Sequence, residues 1–300
     1  MRRKCKVELV GGLGNQIFGL ALGKYIEQMF DFEVEFLKSS DNKKNRDHDQ
    51  TFKGITVFGM TVTTEIPKLS DRVRLRGAGY GFGTILNSAH ERHFDFTSFR
   101  PRRGMVIRGY FQTLDAISSI SKDLNHSIEP LVPTDEISQS AQNLDFSESS
   151  ACIHMRFGDY KEIQGVGVLP TSYFIDACQK LVDLQPSIVN FVIFTNDTDH
   201  AEVIRRHLAS HFTSKNFEIF DPSGKVRAIE SLIFMSNFHS IVLANSTFSF
   251  WGAIAGRPNK QVIYPEPWFI NSGIPTPEKP DSWLACQSYI SGPKAESEIS

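Results

Sequence analysis

The stretch from position 6 to position 18 reads KVELVGGLGNQIF and contains a strand, a loop and the start of a helix. Residues 6–10 end in apolar residues and predict a strand, and glycines follow it at once. Apolar residues recur at helical spacing over 17–30 and predict a helix, and residues 32–37 predict a second strand. This β-loop-α-β order is typical of α/β folds with a parallel sheet.

The same alternation returns in the second half of the chain. Further strands are predicted at 105–110, 151–155, 189–195, 217–220, 240–244 and, as the last one, 261–264, and helices at 172–184, 199–212, 226–237 and 248–255. Residues 130–150 are rich in proline, serine and acidic residues, which is typical of a linker. The sequence therefore predicts an α/β protein with two Rossmann-like domains facing a cleft, spanning residues 1–135 and 150–290.

The composition excludes several classes of protein. The 300 residues are 40% hydrophobic and 22% charged, which is enough apolar material for a core. The net charge is −2, from 32 basic and 34 acidic residues, and argues against a nucleic-acid-binding protein. The cysteines are scattered without a CxxC pair, which argues against a disulfide scaffold or a zinc site. Since no apolar run is long enough for a membrane span or a signal peptide, a cytoplasmic enzyme is predicted.

One segment departs from this charge balance. Residues 72–108 contain eight arginines and only two acidic residues, Glu91 and Asp95, which is a local charge of +6. A solvated face is the ordinary interpretation. The alternative is a site for a phosphorylated acceptor or for an anionic membrane surface, where the protein would bind peripherally.

The glycine loop at 11–16 is the first candidate site. Gly12 and Gly14 would let the backbone approach a ligand, and the N–H groups at the helix start favour an anion. Asn15 and Gln16 complete the candidate substrate-binding residues of this loop. The spacing matches neither the GxGxxG fingerprint nor a P-loop, and a tight turn without a ligand is the alternative.

The predicted strand at 151–155 ends in a polar cluster. Alternation along the strand places His154 and Arg156 on one face, and Gly158 allows a sharp turn after them. Arginine suits a diphosphate because it donates paired hydrogen bonds and keeps its charge. Ligands of open α/β sheets bind beyond the carboxyl ends of strands, where this cluster lies. The alternative is an ion pair between Arg156 and Asp159 that only closes the turn.

Two other predicted strands also end in polar residues. Asn245, Ser246 and Thr247 can cap the following helix or hold a phosphate at its N-terminus. Asp197 and Asp199 form an Asp-x-Asp motif, which can hold a magnesium or manganese ion against a nucleotide diphosphate. A helix cap, or a single carboxylate that reads a base, is the alternative for these two residues.

Four blocks of the sequence together resemble the α-1,2-fucosyltransferases of glycosyltransferase family 11. In chain order they are GGLGNQIF at 11–18, GYFQ at 109–112, IHMRFGDY at 153–160, and the segment from Met235-Ser236 to NSTFSFWGA at 245–253. The resemblance implies a GT-B fold and inverting transfer of L-fucose from GDP-L-fucose to the 2-hydroxyl of a β-galactoside. It also implies that no metal or other cofactor is needed.

The resemblance further implies roles for individual residues. Arg156 would grip the β-phosphate of the donor. The other donor-side residues that it implies are His154 and Asp197 near the guanine and ribose, Gly12 and Gly14 at the diphosphate, and Ser246 and Thr247 near the phosphates beside Asn245. Asp159 is the candidate carboxylate for the acceptor hydroxyl, with Glu162 second, and a purely structural Asp159 is the alternative.

This chain departs from the family pattern at several places. Phe157 stands where the family has a second arginine, and Gly19-Leu20 stands where it usually has Gln-Tyr. Residues 38–103 match no family block, so the acceptor stays open, with a lipid-linked glycan among the candidates. The alternatives are GDP-fucose transfer with another linkage, a metal-dependent transferase built on Asp197 and Asp199, and a non-catalytic sugar-nucleotide-binding module.

Overall fold

A computed structural model describes most of the chain, and the chain divides into two compact units. The residues described are 2–39, 52–53, 55–71, 99–114, 117–118, 128–130, 143–271, 274 and 276–289. Unit 1 comprises Met1–Gln139, Ala228–Ile233 and Ile254–Gly256, and unit 2 comprises Ser140–Arg227, Phe234–Ala253 and Arg257–Ser300. Two short segments of the C-terminal half therefore belong to unit 1.

Unit 1 contains a parallel sheet and a small antiparallel sheet. Its elements in chain order are β1 (Arg3–Leu9), α1 (Leu13–Phe30), β2 (Phe32–Lys38), β3 (Ile55–Val57), β4 (Met60–Thr61), β5 (Thr64–Glu65), β6 (Val106–Arg108) and β7 (Ile128–Pro130). The parallel sheet has the order β5-β2-β1-β6, and β4-β3-β7 form the antiparallel one. Helix α1 packs closely on the parallel sheet, since a Cβ added at Gly19 would lie 3.0 Å from Leu9 Cδ2. A larger side chain at position 19 would push the helix away.

Unit 2 contains a six-stranded, fully parallel sheet in its described part. The strands in chain order are β8 (Ser150–Met155), β9 (Asn190–Thr195), β10 (Asn216–Ile219), β11 (Ser240–Val242), β12 (Gln261–Glu266) and β13 (Leu284–Gln287). The helices of the second half are α2 (Thr171–Leu184), α3 (Thr198–His211), α4 (Ala228–Ser236) and α5 (Thr247–Ile254). The greater part of α4 and the last residue of α5 fall in unit 1. All six residues of β8 are buried, as expected for a central strand covered on both faces.

The strand order fixes where each unit can bind a ligand. In unit 1, β1 lies between β2 and β6, and in unit 2, β8 lies between β9 and β11. In both units the strand that comes next in the chain pairs with one side of the central strand, and a later strand pairs with its other side. At such a switch point the loops beyond the carboxyl ends of the two strands part and leave a crevice. Ligand binding is therefore expected after β1 and β6 and after β8 and β11.

The predicted elements of the second half are confirmed to within two residues at nearly every boundary. Two predictions are wrong. Helix α1 begins at Leu13 instead of residue 17, because Gly12 takes the position before the helix and Gly14 is accommodated in its first turn. Strand β12 is not the last one, since β13 pairs with it in parallel. Most of the linker predicted at 130–150 and most of the arginine-rich stretch at 72–108 lie outside the described residues.

Strands β3, β4, β5 and β7 were not expected from the sequence, because two or three residues show no clear periodicity. No helix among the residues that the structure describes is long and apolar enough to cross a membrane.

Candidate active site

His154 occupies the carboxyl end of β8, at the switch point of unit 2. Its side chain is only 4% exposed, and its ring lies 5.2 Å from the ring of Phe248. Burial, helped by the nearby Arg156 guanidinium, lowers the pKa of His154 to about 3. His154 is therefore neutral near pH 7. Its Nδ1 has no hydrogen-bond partner among the described residues, and a buried polar atom of this kind indicates a place for a ligand or water.

The pKa of His154 predicts a pH dependence of stability. Between pH 6.5 and pH 3 the unfolded chain binds a proton at this residue and the folded chain does not, so the free energy of unfolding falls as the pH falls. The expected slope is about 1.4 kcal/mol per pH unit. Urea unfolding at pH 7.5, 6, 5 and 4 should show this slope, and His154→Gln should lose this contribution. Parallel curves for the two proteins would refute the buried, neutral histidine.

Arg156 follows His154 by two residues and lies just beyond β8. Its guanidinium carbon lies 5.2 Å from the centre of the Tyr160 ring, a cation–π distance. Tyr160 N–H donates to the carbonyl of Phe157 and closes the turn that leads into the 3-10 helix Gly158–Lys161. The backbone of Asp159 lies in this turn. Its carboxylate is outside the described atoms, so the predicted ion pair with Arg156 stays a prediction.

The turn after Arg156 is held by a residue from the next strand. Asn196 Oδ1 accepts a hydrogen bond from Phe157 N–H at 2.9 Å. Gly158 has a φ of +61°, and a Cβ there would lie 2.9 Å from Asn196 Nδ2. The Phe157 ring is buried and lies 5.5 Å from the ring of His200. Position 157, where the family has arginine, is thus part of the apolar core in this chain.

Asp197 follows β9 and begins α3. Its Oδ1 accepts from His200 N–H at 3.2 Å, and its Oδ2 lies 2.7 Å from His200 Nδ1. Lys161 Nζ contacts His200 Nε2 on the other side of that ring. Burial alone would raise the pKa of Asp197, but the bonds from His200 and the charge of Lys161 outweigh it and lower the pKa. The carboxylate is engaged as a helix cap, which favours that interpretation over a cation site.

The carboxyl end of β11 supplies Asn245, which is fully buried. Its Nδ2 donates to the carbonyl of Gly167 and to the Tyr289 hydroxyl, both at 2.9 Å. Tyr289 in turn donates to the carbonyl of Val166 at 3.2 Å. Asn245 Oδ1 has no partner within the described part of the chain. Asn245 therefore holds the loop after the 3-10 helix and also presents a second buried acceptor at the same switch point as His154.

Ser246 and Thr247 start α5. Ser246 Oγ accepts a hydrogen bond from Phe248 N–H at 3.2 Å, so Ser246 caps the helix. A helix cap is one of the two roles that the sequence predicts for this residue, the other being a phosphate site. Thr247 is the first residue of the helix and is partly buried. Unit 2 thus brings together at one sheet edge His154, Arg156, Asn245, Ser246 and Thr247, with Asp197 one strand further out.

In unit 1 the glycine loop lies at the carboxyl end of β1. Gly11 has a φ of +72°, and Gln16 Nε2 donates to its carbonyl at 3.0 Å. Gln16 is buried and supports the turn from behind. Gly12 precedes α1 without a side-chain cap, and a Cβ there would meet nothing within 4 Å. Gly14 lies in the first turn of α1. The loop is therefore open at Gly12 and has helix N–H groups beside it.

The GYFQ segment lies next to this loop, beyond the carboxyl end of β6. Gln112 Nε2 donates to Asn15 Oδ1 at 2.9 Å, and a Cβ at Gly11 would lie 3.1 Å from Tyr110 Cε1. The family resemblance includes this block, but no sequence signal assigns a role to its residues, to Asn196 or to Tyr289. The one available signal was that the predicted strand at 105–110 also runs into a polar motif.

Two solved structures share this fold. A mutant of Arabidopsis thaliana FUT1 in complex with GDP has a TM-score of 0.52 at 12% identity, covering 88% of this chain and 70% of its own. POFUT1 in complex with GDP has a TM-score of 0.50 at 9% identity, covering 87% and 97%. Two α/β units with parallel sheets, together with these solved neighbours, identify a GT-B fold. The chain belongs to glycosyl transferase family 11, whose sequence profile matches residues 86–267.

Two curated proteins from Escherichia coli are similar over nearly their full length. One is the O-antigen biosynthesis glycosyltransferase WbnK, 25% identical over 92% of this chain and 98% of that protein. The other is an alpha-1,2-colitosyltransferase, 25% identical over 90% of this chain and 96% of that protein. Glycosyl transfer is thus the activity of this family.

Proposed function

We propose that the protein is an inverting α-1,2-fucosyltransferase that moves L-fucose from GDP-L-fucose to the 2-hydroxyl of a β-galactoside. The observation that carries this proposal is that Arg156 and the buried, neutral His154 lie near each other at the switch point of unit 2. A fixed cation beside unpartnered polar atoms suits the diphosphate and polar groups of a nucleotide sugar. The GDP in both fold neighbours is in keeping with a GDP-sugar donor.

In this proposal the chain stabilises the leaving diphosphate. When the bond between fucose C1 and the β-phosphate oxygen breaks, negative charge grows on the diphosphate and the sugar becomes cation-like. Arg156 and the N–H groups at the start of α5 are the groups of unit 2 that would take this charge. His154 would act as a neutral hydrogen-bonding group. Backbone approach at Gly12 and Gly14 stays a prediction of the resemblance.

The acceptor hydroxyl loses its proton during transfer, and a carboxylate can take it. Asp159 is the proposed base because it follows the Arg156 turn, and the exposed Glu162 is the second candidate. A cytoplasmic protein acting on a glycan, lipid-linked or free, is also part of the proposal. The O-antigen role named for one relative is in keeping with such an acceptor.

Colitose is the second candidate sugar, because one of the relatives is named a colitosyltransferase. Colitose is L-fucose without its 3-hydroxyl, so both donors would place the same nucleotide and the same anomeric centre in the site. A site that hydrogen-bonds a hydroxyl rejects an analogue lacking it, because its own polar atoms are then left unpaired. The four sequence blocks that resemble the α-1,2-fucosyltransferases favour fucose as the first candidate.

A donor panel tests this proposal. With lactose as acceptor, GDP-fucose should give the highest kcat/KM, ahead of GDP-colitose, GDP-mannose and UDP-galactose. The rate with GDP-fucose should be unchanged by EDTA. A preference for GDP-colitose would correct the donor, and loss of activity in EDTA with recovery on adding Mn²⁺ would favour the metal-dependent alternative. Binding of GDP-fucose without turnover on any galactoside would favour a binding module or a different acceptor.

A further inference from the structure

Unit 1 presents an exposed aromatic ring at its own switch point, and we propose that Tyr110 is the platform on which the acceptor sugar stacks. This inference rests on the proposed function, because it assigns the galactoside of that reaction to a place in unit 1. Tyr110 lies two residues after the end of β6, the strand that pairs with β1. Its side chain is 37% exposed, whereas the neighbouring Phe111 is 2% exposed.

The backbone turns at this point in a way that separates the two rings. Phe111 has a φ of +48°, a left-handed conformation that is unfavourable for a bulky residue. Thr113 N–H donates to the Phe111 carbonyl at 2.9 Å and holds the turn. The turn buries Phe111 and leaves Tyr110 at the surface. Strained residues of this kind concentrate at functional sites, where the surrounding structure holds them in place.

The surroundings of Tyr110 are rigid and polar. The Glu8 carboxylate is fully buried and lies 3.5 Å from Arg108 Nε, its register partner, so that β1 and β6 are tied together where they end. Gln112 fixes the amide of Asn15. Gly11 leaves room for the Tyr110 ring, since a Cβ there would lie 3.1 Å from Cε1.

An aromatic face beside fixed amide groups is suited to a pyranoside. The face of β-galactose that carries the C–H groups of C3, C4 and C5 is apolar and packs on an aromatic ring, while its hydroxyls need hydrogen-bond partners. Tyr110 offers the ring, and Asn15 and Gln112 offer the amides. An aromatic residue serving only the core would be buried, as Phe111 is.

Direct binding and kinetics test this platform. Saturation-transfer NMR with methyl β-galactoside should show contacts at H3, H4 and H5 in the wild type and in Tyr110→Phe, and should lose them in Tyr110→Ala. The acceptor KM should rise about tenfold in Tyr110→Ala, and hydrolysis of GDP-fucose without acceptor should keep its rate. The control is Met29→Ala, which removes an exposed apolar side chain near the far end of α1 and should change neither reading.

The outcomes separate this inference from the proposed function. Unchanged galactoside binding in Tyr110→Ala, or no binding by the wild type, would overturn the platform. Another outcome is that the wild-type protein binds the galactoside without turning over GDP-fucose, while Tyr110→Ala loses galactoside binding. That result would support the platform and contradict only the proposed donor.

Discussion

Replacing Arg156 by alanine should lower fucosyl transfer about 10²–10³-fold, because one fixed donor to the developing diphosphate charge is lost. The side chain is half-buried beyond β8 and packs over Tyr160, outside the apolar core of unit 2, so its removal should leave that core intact. Steady-state kinetics with saturating lactose, together with the urea midpoint of the variant, measure both parts of this result.

The matched variant Arg156→Lys keeps the charge but not the paired N–H groups, and should recover part of the lost rate. GDP binding should weaken in Arg156→Ala far more than guanosine binding, since guanosine has no phosphate. If Arg156→Ala kept most of its activity with an intact fold, or bound GDP as tightly as the wild type, Arg156 would not be the phosphate ligand.

Replacing Gly158 by alanine should cost about 10²-fold in turnover, because a shift of about 1 Å in a positioning residue has this effect. The added Cβ would lie 2.9 Å from Asn196 Nδ2. The backbone φ of +61° at position 158 is also strained for any residue other than glycine. Asn196 accepts a hydrogen bond from the N–H of Phe157, which directly follows Arg156. A displacement of Asn196 should therefore shift the Arg156 guanidinium.

Gly224→Ala is the control for the backbone strain alone. Gly224 has a φ of +66°, and a Cβ there would meet nothing within 4 Å. Both variants should lose about 1–2 kcal/mol of stability from the left-handed conformation, and Gly224→Ala should keep wild-type kinetics. Equal kinetics in the two variants would show that the Asn196 contact does not position the site.

The sequence predicts the elements of unit 2 well because their signals are local. An apolar strand followed by a polar cluster and an amphipathic helix repeats along the second half, and each boundary depends on neighbouring residues. Strand β13 was missed because Leu284–Gln287 shows neither a long apolar run nor clear alternation, and it is defined by pairing with β12. The short strands of unit 1 depend on pairing in the same way.

The candidate site was only partly predictable for a related reason. His154 and Arg156 follow a predicted strand and carry chemistry that the sequence displays directly. The contacts that hold the site join distant positions, such as Gln112 with Asn15, 97 residues apart, and Asn245 with Tyr289, 44 apart. Nothing local distinguishes these partners from surface residues. The burial that makes His154 neutral also depends on the packed fold.

The most direct test of the proposed reaction is the product itself. The wild-type protein is incubated with GDP-β-L-fucose and lactose in the presence of EDTA, and the purified trisaccharide is examined by NMR. We expect an α-linked fucose on O2 of galactose, shown by the anomeric coupling and by a correlation from fucose H1 to galactose C2. A β-linked product, a linkage to another oxygen, or no trisaccharide at all would contradict it.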